Sequence, residues 1–132
     1  MSSPTQRSKA RLIQEGYTVA ITERWNQFAR IRQDLFGFVD LLAISAEETL
    51  AVQTTSGSNA AKRVQKIREC PAAKVWLEGF PQRQIVVHSW AKRGAKGKAK
   101  RWDCVVIPIL PEDVMVEFNK DISTFGLQTT SD

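Results

Sequence analysis

Two strongly apolar segments joined by a short polar turn constrain this chain more than any other feature of its sequence. Residues 35–44 and 49–55 are rich in aliphatic, aromatic and β-branched side chains, and residues 45–48 between them are Ser-Ala-Glu-Glu. Apolar runs of this length are typical of buried strands. The pattern therefore predicts an antiparallel hairpin with a four-residue loop, in which Ile44 pairs with Thr49.

The register of this hairpin predicts a small polar cluster on an apolar face. Counting back from the loop places Asp40 opposite Gln53, and the next pair is Phe38 and Thr55. Because side chains alternate along a strand, one face should carry Asp34, Phe36, Phe38, Asp40 and Leu42. A carboxylate among apolar neighbours needs polar partners. Asp40 with Gln53 and Thr55 is thus a candidate Mg²⁺ cluster; alternatively, Asp40 is a hydrogen-bonded structural residue at a kink created by Gly37.

The remaining pattern predicts a mixed α/β domain over residues 1–121 and a loose tail over residues 122–132. The predicted elements are a helix over 4–15, a strand over 17–25, an arginine-bearing connection over 26–33, a helix from about 58 to 69 capped by Ser58 or Asn59, a short helix over 72–78, strands over 84–91 and 102–109, and a helix over 112–120. Trp25 and Trp76 are expected in the core or at its edge.

Composition excludes several classes of protein. The chain has 132 residues, of which 42% are hydrophobic and 25% charged, which is typical of one globular domain and not of a disordered or collagen-like chain. No apolar run approaches the ~20 residues that a membrane span needs, so no membrane partner is expected. Without an N-terminal secretory signal, Cys70 and Cys104 are expected as free thiols in a cytoplasmic protein.

The charge of the chain is unevenly distributed. Residues 1–110 carry 18 basic and nine acidic side chains, whereas residues 111–132 carry one basic and five acidic ones. A basic body favours a polyanionic partner, most simply nucleic acid. A soluble domain that happens to be basic is the alternative that charge alone leaves open.

A basic segment between the last two predicted strands is the strongest indication of nucleic-acid binding. Residues 92–101 contain two glycines, no acid and six basic side chains: Lys92, Arg93, Lys96, Lys98, Lys100 and Arg101. A flexible loop of this kind gains affinity by neutralising phosphates without reading sequence. The alternative is a solvated hairpin tip. The flanking strands would pair Trp90 with Trp102 and His88 with Cys104.

A second candidate for phosphate contacts follows the apolar hairpin. The hydroxyl-rich turn at residues 54–59 leads into a helix N-terminus, where free N–H groups favour anions. The candidate residues of the turn and the following helix are Ser56, Ser58, Asn59, Arg63 and Lys66. A helix cap and a turn explain the same residues without any ligand.

The order of elements and the position of Asp40 resemble the PD-(D/E)xK, or restriction-endonuclease-like, nuclease superfamily, in particular small Holliday-junction resolvases and phage or prophage proteins. The resemblance covers roughly residues 5–91 and implies an αβββαβ core with a mixed central sheet, here followed by a further strand and helix. It implies a prokaryotic or phage-encoded endonuclease that cleaves duplex or branched DNA as a homodimer. Asp40 matches the first acid of the family, and Gln53 begins the triplet that should be acid-x-lysine. Mg²⁺ or Mn²⁺ would then be held by Asp40 and Gln53.

The chain departs from the family pattern at two positions. Gln53 replaces the second carboxylate, and Thr55 replaces the lysine. Lys62 or Lys66 of the following helix could supply the amine. The three candidates for the missing negative charge are Glu23, Glu15 and Asp34. The alternative is a catalytically inactive DNA-binding or accessory protein of the same fold.

Overall fold

A mixed sheet with helices on both faces forms the body of the molecule. The computed structural model describes residues 3–114. Its elements are α1 (Pro4–Gln14), β1 (Thr18–Ile21), β2 (Arg24–Asn26), β3 (Ile31–Gln33), β4 (Leu41–Ile44), β5 (Thr49–Ser56), a 3₁₀ turn (Gly57–Asn59), α2 (Ala60–Arg68), α3 (Pro71–Leu77), β6 (Arg83–Arg93) and β7 (Arg101–Ile109). The five-stranded sheet has the order β1-β4-β5-β6-β7, and only β5 and β6 are parallel within it. The predicted mixed α/β class is confirmed.

The apolar hairpin forms with the predicted register. Ile44 pairs with Thr49, and the ladder continues to Leu41 and Val52. Alternate residues of the hairpin face opposite sides of the sheet, and each side is covered by helix. One apolar cluster packs with Leu12 of α1, and the other packs with Ile67 of α2 and with α3. Burial on both faces explains why β5 reads as a nearly continuous apolar run.

Local signals set the ends of the first helix. Ser3 accepts a hydrogen bond from the N–H of Gln6 at 3.2 Å, and Pro4 occupies the first turn. Gly16 follows the helix with φ 102°, a conformation that glycine adopts without steric cost. The helix predicted over residues 4–15 is confirmed. This matters for the site, because α1 crosses the sheet beside the end of β5.

The strand predicted over residues 17–25 is wrong in its second half. It ends at Ile21, and the chain then leaves the sheet to form a separate two-stranded hairpin from β2 and β3. Residues 24–33 of this hairpin replace the predicted irregular connection. Trp25 is 57% exposed rather than in the core, whereas Trp76 packs against the core as predicted.

The strand predicted over residues 35–44 is also shorter than expected. Phe36 and Gly37 both have positive φ, 57° and 83°, so the chain turns there and Leu35 bridges Val39. Two successive left-handed residues cannot continue a strand. The alternate residues from Asp34 to Leu42 therefore do not share one face as predicted. Phe36 is exposed, whereas Phe38 is fully buried in the core.

The basic hairpin has a register two residues away from the predicted one. Trp90 pairs with Cys104, and Lys92 rather than Trp90 pairs with Trp102. The strands extend further than expected because residues 92 and 93 continue β6, so the loop itself spans only residues 94–100. A shift of two residues leaves every side chain on its predicted face but changes its cross-strand partner.

The end of the chain is described only in part. Residues 111–114 are helical, and the rest of the helix predicted to residue 120 and the tail at 122–132 lie outside the described residues. Cys70 and Cys104 are free thiols. None of the helices within residues 3–114 is long and apolar enough to span a membrane.

Candidate metal and nucleic-acid site

Three carboxylates meet at the end of the sheet where β1 and β4 lie side by side. Glu23 follows β1, Asp34 follows β3 and Asp40 precedes β4. One oxygen of each lies within 4.8 Å of the others. The backbone holds two of them together, because the N–H groups of Thr22 and Glu23 both donate to the carbonyl of Asp40, at 2.8 and 3.2 Å. Hard oxygen ligands at this spacing are suited to a divalent cation such as Mg²⁺.

Asp40 is fixed at the centre of this group. It is 2% exposed, and its Oδ2 accepts hydrogen bonds from Gln53 Nε2 at 2.6 Å and from the Thr54 N–H at 2.8 Å. The Thr54 hydroxyl lies 3.2 Å from the same oxygen. The predicted contact between Asp40 and Gln53 is confirmed. The sequence suggested that Thr55 would contact Asp40. In the structure it is Thr54 that does so, through its N–H and its hydroxyl.

Two oxygen atoms at the centre of the site are left without a hydrogen-bond donor. Asp40 Oδ1 and Gln53 Oε1 are both buried, and neither accepts a hydrogen bond from the described residues. Buried polar atoms are nearly always satisfied, and an unmet acceptor of this kind is typical of a place for water or an ion. Both atoms are of the type that ligates hard cations.

The charge around Asp40 disfavours its ionised form. Burial raises the pKa of Asp40 above its usual range, and a hydrogen bond to Asp34 that only the protonated carboxyl can donate raises it further. The Thr54 N–H lowers this pKa, while repulsion from the charges of Asp34 and Glu23 raises it. The three acids are thus short of positive charge, which a divalent cation would supply.

Two basic side chains reach the outer carboxylates. Lys66 Nζ of α2 lies 3.4 Å from Asp34 Oδ2, and Arg32 Nη1 of β3 lies 3.2 Å from Glu23 Oε1. Lys66 is one of the two lysines that the sequence suggested for the amine. Lys62 lies one turn earlier on the same side of α2 and is exposed.

Two of the three acids that could replace the carboxylate missing at Gln53 lie in the cluster. Glu23 and Asp34 join Asp40, whereas Glu15 pairs with Arg11 on α1 at 3.3 Å and is not part of the cluster. Glu23 is held by Thr5 of α1, whose hydroxyl donates to Glu23 Oε1 at 2.7 Å. The Thr5 hydroxyl also lies 2.9 Å from that of Thr54.

Glu23 and Asp34 line a cleft of about 860 Å³, and Asp40 is buried beside them without lining it. Its lining includes Glu23, Asp34, Arg24, Arg32 and Lys66, so acidic and basic groups share its walls. A second cavity of about 250 Å³ continues from it towards the start of α1. A cleft whose walls carry both carboxylates and cations suits a phosphodiester bound through a metal ion.

The hydroxyl-rich turn lies at the surface. Asn59 occupies the N-cap position of α2 but makes no capping hydrogen bond, because its amide donates to Ser56 Oγ at 3.1 Å. Ser56 Oγ in turn lies 3.4 Å from Ser58 Oγ. All three side chains are exposed, and Arg63 of α2 is half-buried. The free N–H groups of this turn remain available to an anion.

The basic segment at residues 92–101, which is the loop with the adjoining ends of β6 and β7, is fully exposed. Its six candidate side chains all lie at the surface: Lys92, Arg93, Lys96, Lys98, Lys100 and Arg101. Arg93 pairs with Asp103 at 3.8 Å, and Lys92 Nζ lies 5.4 Å from the centre of the Trp102 ring. The three lysines at the tip have the freedom that nonspecific phosphate contacts require.

No protein-family model and no curated protein matches this chain. The carboxylate cluster and the cleft are therefore the features that indicate its chemistry. Thr5 and Thr54 belong to that geometry and were missed by sequence reasoning. Neither carries a sequence signal, since their roles follow from how α1 crosses β5.

Proposed function

We propose that this chain is a Mg²⁺- or Mn²⁺-dependent endonuclease that hydrolyses phosphodiester bonds in DNA. The observation that carries the proposal is the cluster of Glu23, Asp34 and Asp40, with carboxylate oxygens within 4.8 Å of one another and a lysine amine at its edge. Oδ1 of Asp40 is buried and, when the carboxyl is ionised, has no donor among the described residues, which supports a cation there rather than a purely structural acid.

The order of the elements supports a restriction-endonuclease-like core. Without the β2–β3 hairpin, the chain runs α1, β1, β4, β5, α2 with α3, and β6, which follows the αβββαβ pattern. The first acid precedes the second strand of this core, and the third strand is joined through a helical connection to a parallel neighbour. On this proposal the β2–β3 hairpin is an insertion that brings Asp34 to the site.

Each side chain of the site has a role in the proposed reaction. The carboxylates of Glu23, Asp34 and Asp40 would hold the ion, and Gln53 orients Asp40. The ion would supply positive charge to the scissile phosphate and acidify an attacking water. Lys66 on α2 would take the role of the family's lysine, with its charge stabilising the phosphate as negative charge develops.

A second candidate function has a specific observation in its favour. Asp40 Oδ2 already receives three donors from Gln53 and Thr54. A carboxylate satisfied in this way can serve the fold alone, which favours a catalytically inactive DNA-binding protein with the same basic loop. The two functions differ in whether the carboxylate cluster binds a metal ion.

Calorimetric titration with Mg²⁺ and with Mn²⁺ separates the two functions. Wild-type protein should bind one or both ions, and Asp40→Asn and Asp34→Asn should each weaken binding by tenfold or more, because each removes one of three charged ligands. Glu78→Gln, which alters an exposed acid directly after α3 and outside the carboxylate cluster, is the matched control and should bind as wild type does.

Cleavage assays on duplex, branched and single-stranded DNA complete the test. Activity should require a divalent ion and should be lost in Asp40→Asn. DNA binding without metal binding or cleavage would favour the inactive protein, and undiminished cleavage by Asp40→Asn would exclude this cluster as the active site.

A further inference from the structure

The β2–β3 hairpin exposes an unusual set of apolar side chains. We call residues 24–33 the arm. Phe28 at its tip is 100% exposed, Trp25 is 57% exposed and Ile31 is 50% exposed. Trp25 pairs with Arg32 and Asn26 pairs with Ile31, so Trp25 and Ile31 lie on opposite faces of the arm, with Phe28 at its tip. Three exposed apolar side chains on a ten-residue hairpin outside the main sheet indicate a contact with a partner.

The arm is also exclusively basic. It carries Arg24, Arg30 and Arg32, and residues 24–33 contain no acid. Arginines interleaved with aromatic rings are suited to a single strand of nucleic acid, in which phosphates pair with the guanidinium groups and unpaired bases stack on the rings. An uncharged lipid or a purely apolar protein surface would leave these three cations without partners.

The tip of the arm is ordered before any partner binds. Asn26 Oδ1 accepts hydrogen bonds from the N–H groups of Phe28 and Ala29, both at 3.0 Å, and Asn26 Nδ2 donates to Gln33 Oε1 at 3.2 Å. These bonds fix the turn that projects Phe28 into solvent. A preformed turn reduces the entropy lost when the ring meets a base.

The base of the arm forms a wall of the candidate site. Arg24 and Arg32 line both the large cleft and the smaller cavity, and Arg32 pairs with Glu23 of the carboxylate cluster. Phe28 lies five positions after Glu23, which corresponds to at most roughly 17 Å of extended chain. A nucleic-acid strand in the cleft would therefore extend onto the arm within a few nucleotides.

We propose that the arm binds unpaired nucleotides, with Phe28 and Trp25 stacking on bases and the three arginines contacting the adjoining phosphates. Bases inside an intact duplex do not expose their faces, so the arm selects single-stranded or branched DNA over continuous duplex. This inference deepens the proposed endonuclease function by naming its substrate class. The binding itself depends on no metal.

Fluorescence anisotropy with a labelled oligothymidylate and a matched duplex, both in EDTA, tests the arm. Wild type should bind the single strand more tightly than the duplex. Phe28→Ala should weaken single-strand binding at least about fivefold, which is the lower end of the loss for one stacked base, and should leave duplex binding within twofold. Val75→Ala, which removes an apolar side chain that is 59% exposed on α3, is the control and should change neither affinity.

Two further variants separate stacking from general apolar contact. Phe28→Leu should behave as Phe28→Ala does, because leucine has no ring, whereas Phe28→Trp should bind at least as tightly as wild type. Equal single-strand affinity in wild type and Phe28→Ala overturns the proposal. So does a dimer that becomes monomeric in Phe28→Ala by sedimentation, since the arm would then contact a second copy.

The metal titration keeps this test distinct from that of the proposed function. Loss of single-strand affinity in Phe28→Ala supports the arm even if the carboxylates bind no ion. Conversely, if the protein binds Mg²⁺ and Phe28→Ala keeps the single-strand affinity of wild type, the metal site is supported and binding of bases by the arm is rejected.

Discussion

Gln53 stands where the resemblance to nucleases would place a carboxylate, and its contacts give a physical reason. Its amide donates to Asp40 Oδ2 at 2.6 Å, so it holds the aspartate in place. A carboxylate at this position would add a fourth acidic group beside Glu23, Asp34 and Asp40, where an ionised carboxyl is already disfavoured. Glutamine therefore stabilises the ion-free protein at the expense of one charged ligand.

Replacing Gln53 by glutamate should lower the stability of the ion-free protein and raise its affinity for a divalent cation. In EDTA, Gln53→Glu should lower the free energy of unfolding by about 1–3 kcal/mol, because a donor is lost and two buried carboxylates face each other. Mg²⁺ or Mn²⁺ should restore this loss in proportion to its concentration, and urea denaturation with and without metal measures both effects.

Gln84→Glu provides a matched control for this change. Gln84 Nε2 donates to Glu48 Oε2 at 2.8 Å, so the substitution also places two carboxylates together, but away from the carboxylate cluster. It should destabilise the protein without gaining a metal-dependent recovery. A similar metal response in both variants would show that the recovery does not come from the cluster.

At the scale of the residue, the sequence predicted the centre of the site and missed its supports. The pairing of Asp40 with Gln53 follows from alternation and loop length, which are local. Thr5 contacts Thr54 across 49 positions of the chain, and no local pattern specifies such a contact. Asp34 and Glu23 could be named as candidates, but only the turn at residues 34–40 brings them together.

Among the elements, the basic loop between β6 and β7 offers the clearest electrostatic prediction. Replacing Lys96, Lys98 and Lys100 with alanine should weaken DNA binding about equally for all sequences. The slope of log affinity against log salt should decrease by roughly 0.9 for each lost duplex phosphate contact. Binding measured between 50 and 200 mM salt, values chosen to span the range where such slopes are steep, gives the slope directly.

A lysine outside the loop provides the comparison for this slope. Lys9→Ala removes one charge from α1 and should leave the slope nearly unchanged. An unaltered slope in the triple variant would mean that the loop does not contact the DNA backbone.

The β4–β5 hairpin with its buried faces could be predicted, and the exposed β2–β3 hairpin could not. The β4–β5 hairpin is specified by apolar side chains on both faces. The arm has the sequence Arg-Trp-Asn-Gln-Phe-Ala-Arg-Ile-Arg-Gln, in which no apolar face repeats with strand periodicity, so it resembles a polar connection. The sequence offered a kink at Gly37 as one alternative, and the chain does turn there, but the contribution of Phe36 was not predicted because phenylalanine rarely adopts a positive φ.

Across the whole molecule, a buried polar group joins the first helix to the sheet. Ser8 of α1 accepts a hydrogen bond from Trp90 Nε1 at 2.8 Å, and its Oγ lies 2.8 Å from His88 Nδ1. The hydroxyl of Ser8 can accept from Trp90 and also either donate to or accept from His88 Nδ1, so it joins both side chains of β6 to α1 in either tautomer of His88. Arg7 of the same helix stacks over the Trp102 ring at 3.5 Å. The position of α1, and with it Thr5 at the site, depends on these contacts.

Protonation of His88 should therefore destabilise the whole fold. Burial, and secondarily the charge of Arg11, lower the pKa of His88 from 6.5 to about 4. Between these values the unfolded chain binds a proton that the folded chain does not, so the free energy of unfolding should fall as pH decreases from 6.5 to about 4. The loss attributable to this one group should reach up to roughly 3 kcal/mol.

The comparison of wild type with His88→Asn isolates this contribution, because all other titrating groups are shared. Asparagine can accept from Ser8 but has no proton to gain, so the variant should be less stable at pH 7 and its deficit should shrink as the solution is acidified. Urea denaturation at half-unit steps from pH 7 to pH 4 measures the difference. A deficit that stays constant over this range would show that His88 titrates equally in the folded and unfolded chains, and the buried contact with Ser8 would not control the docking of α1.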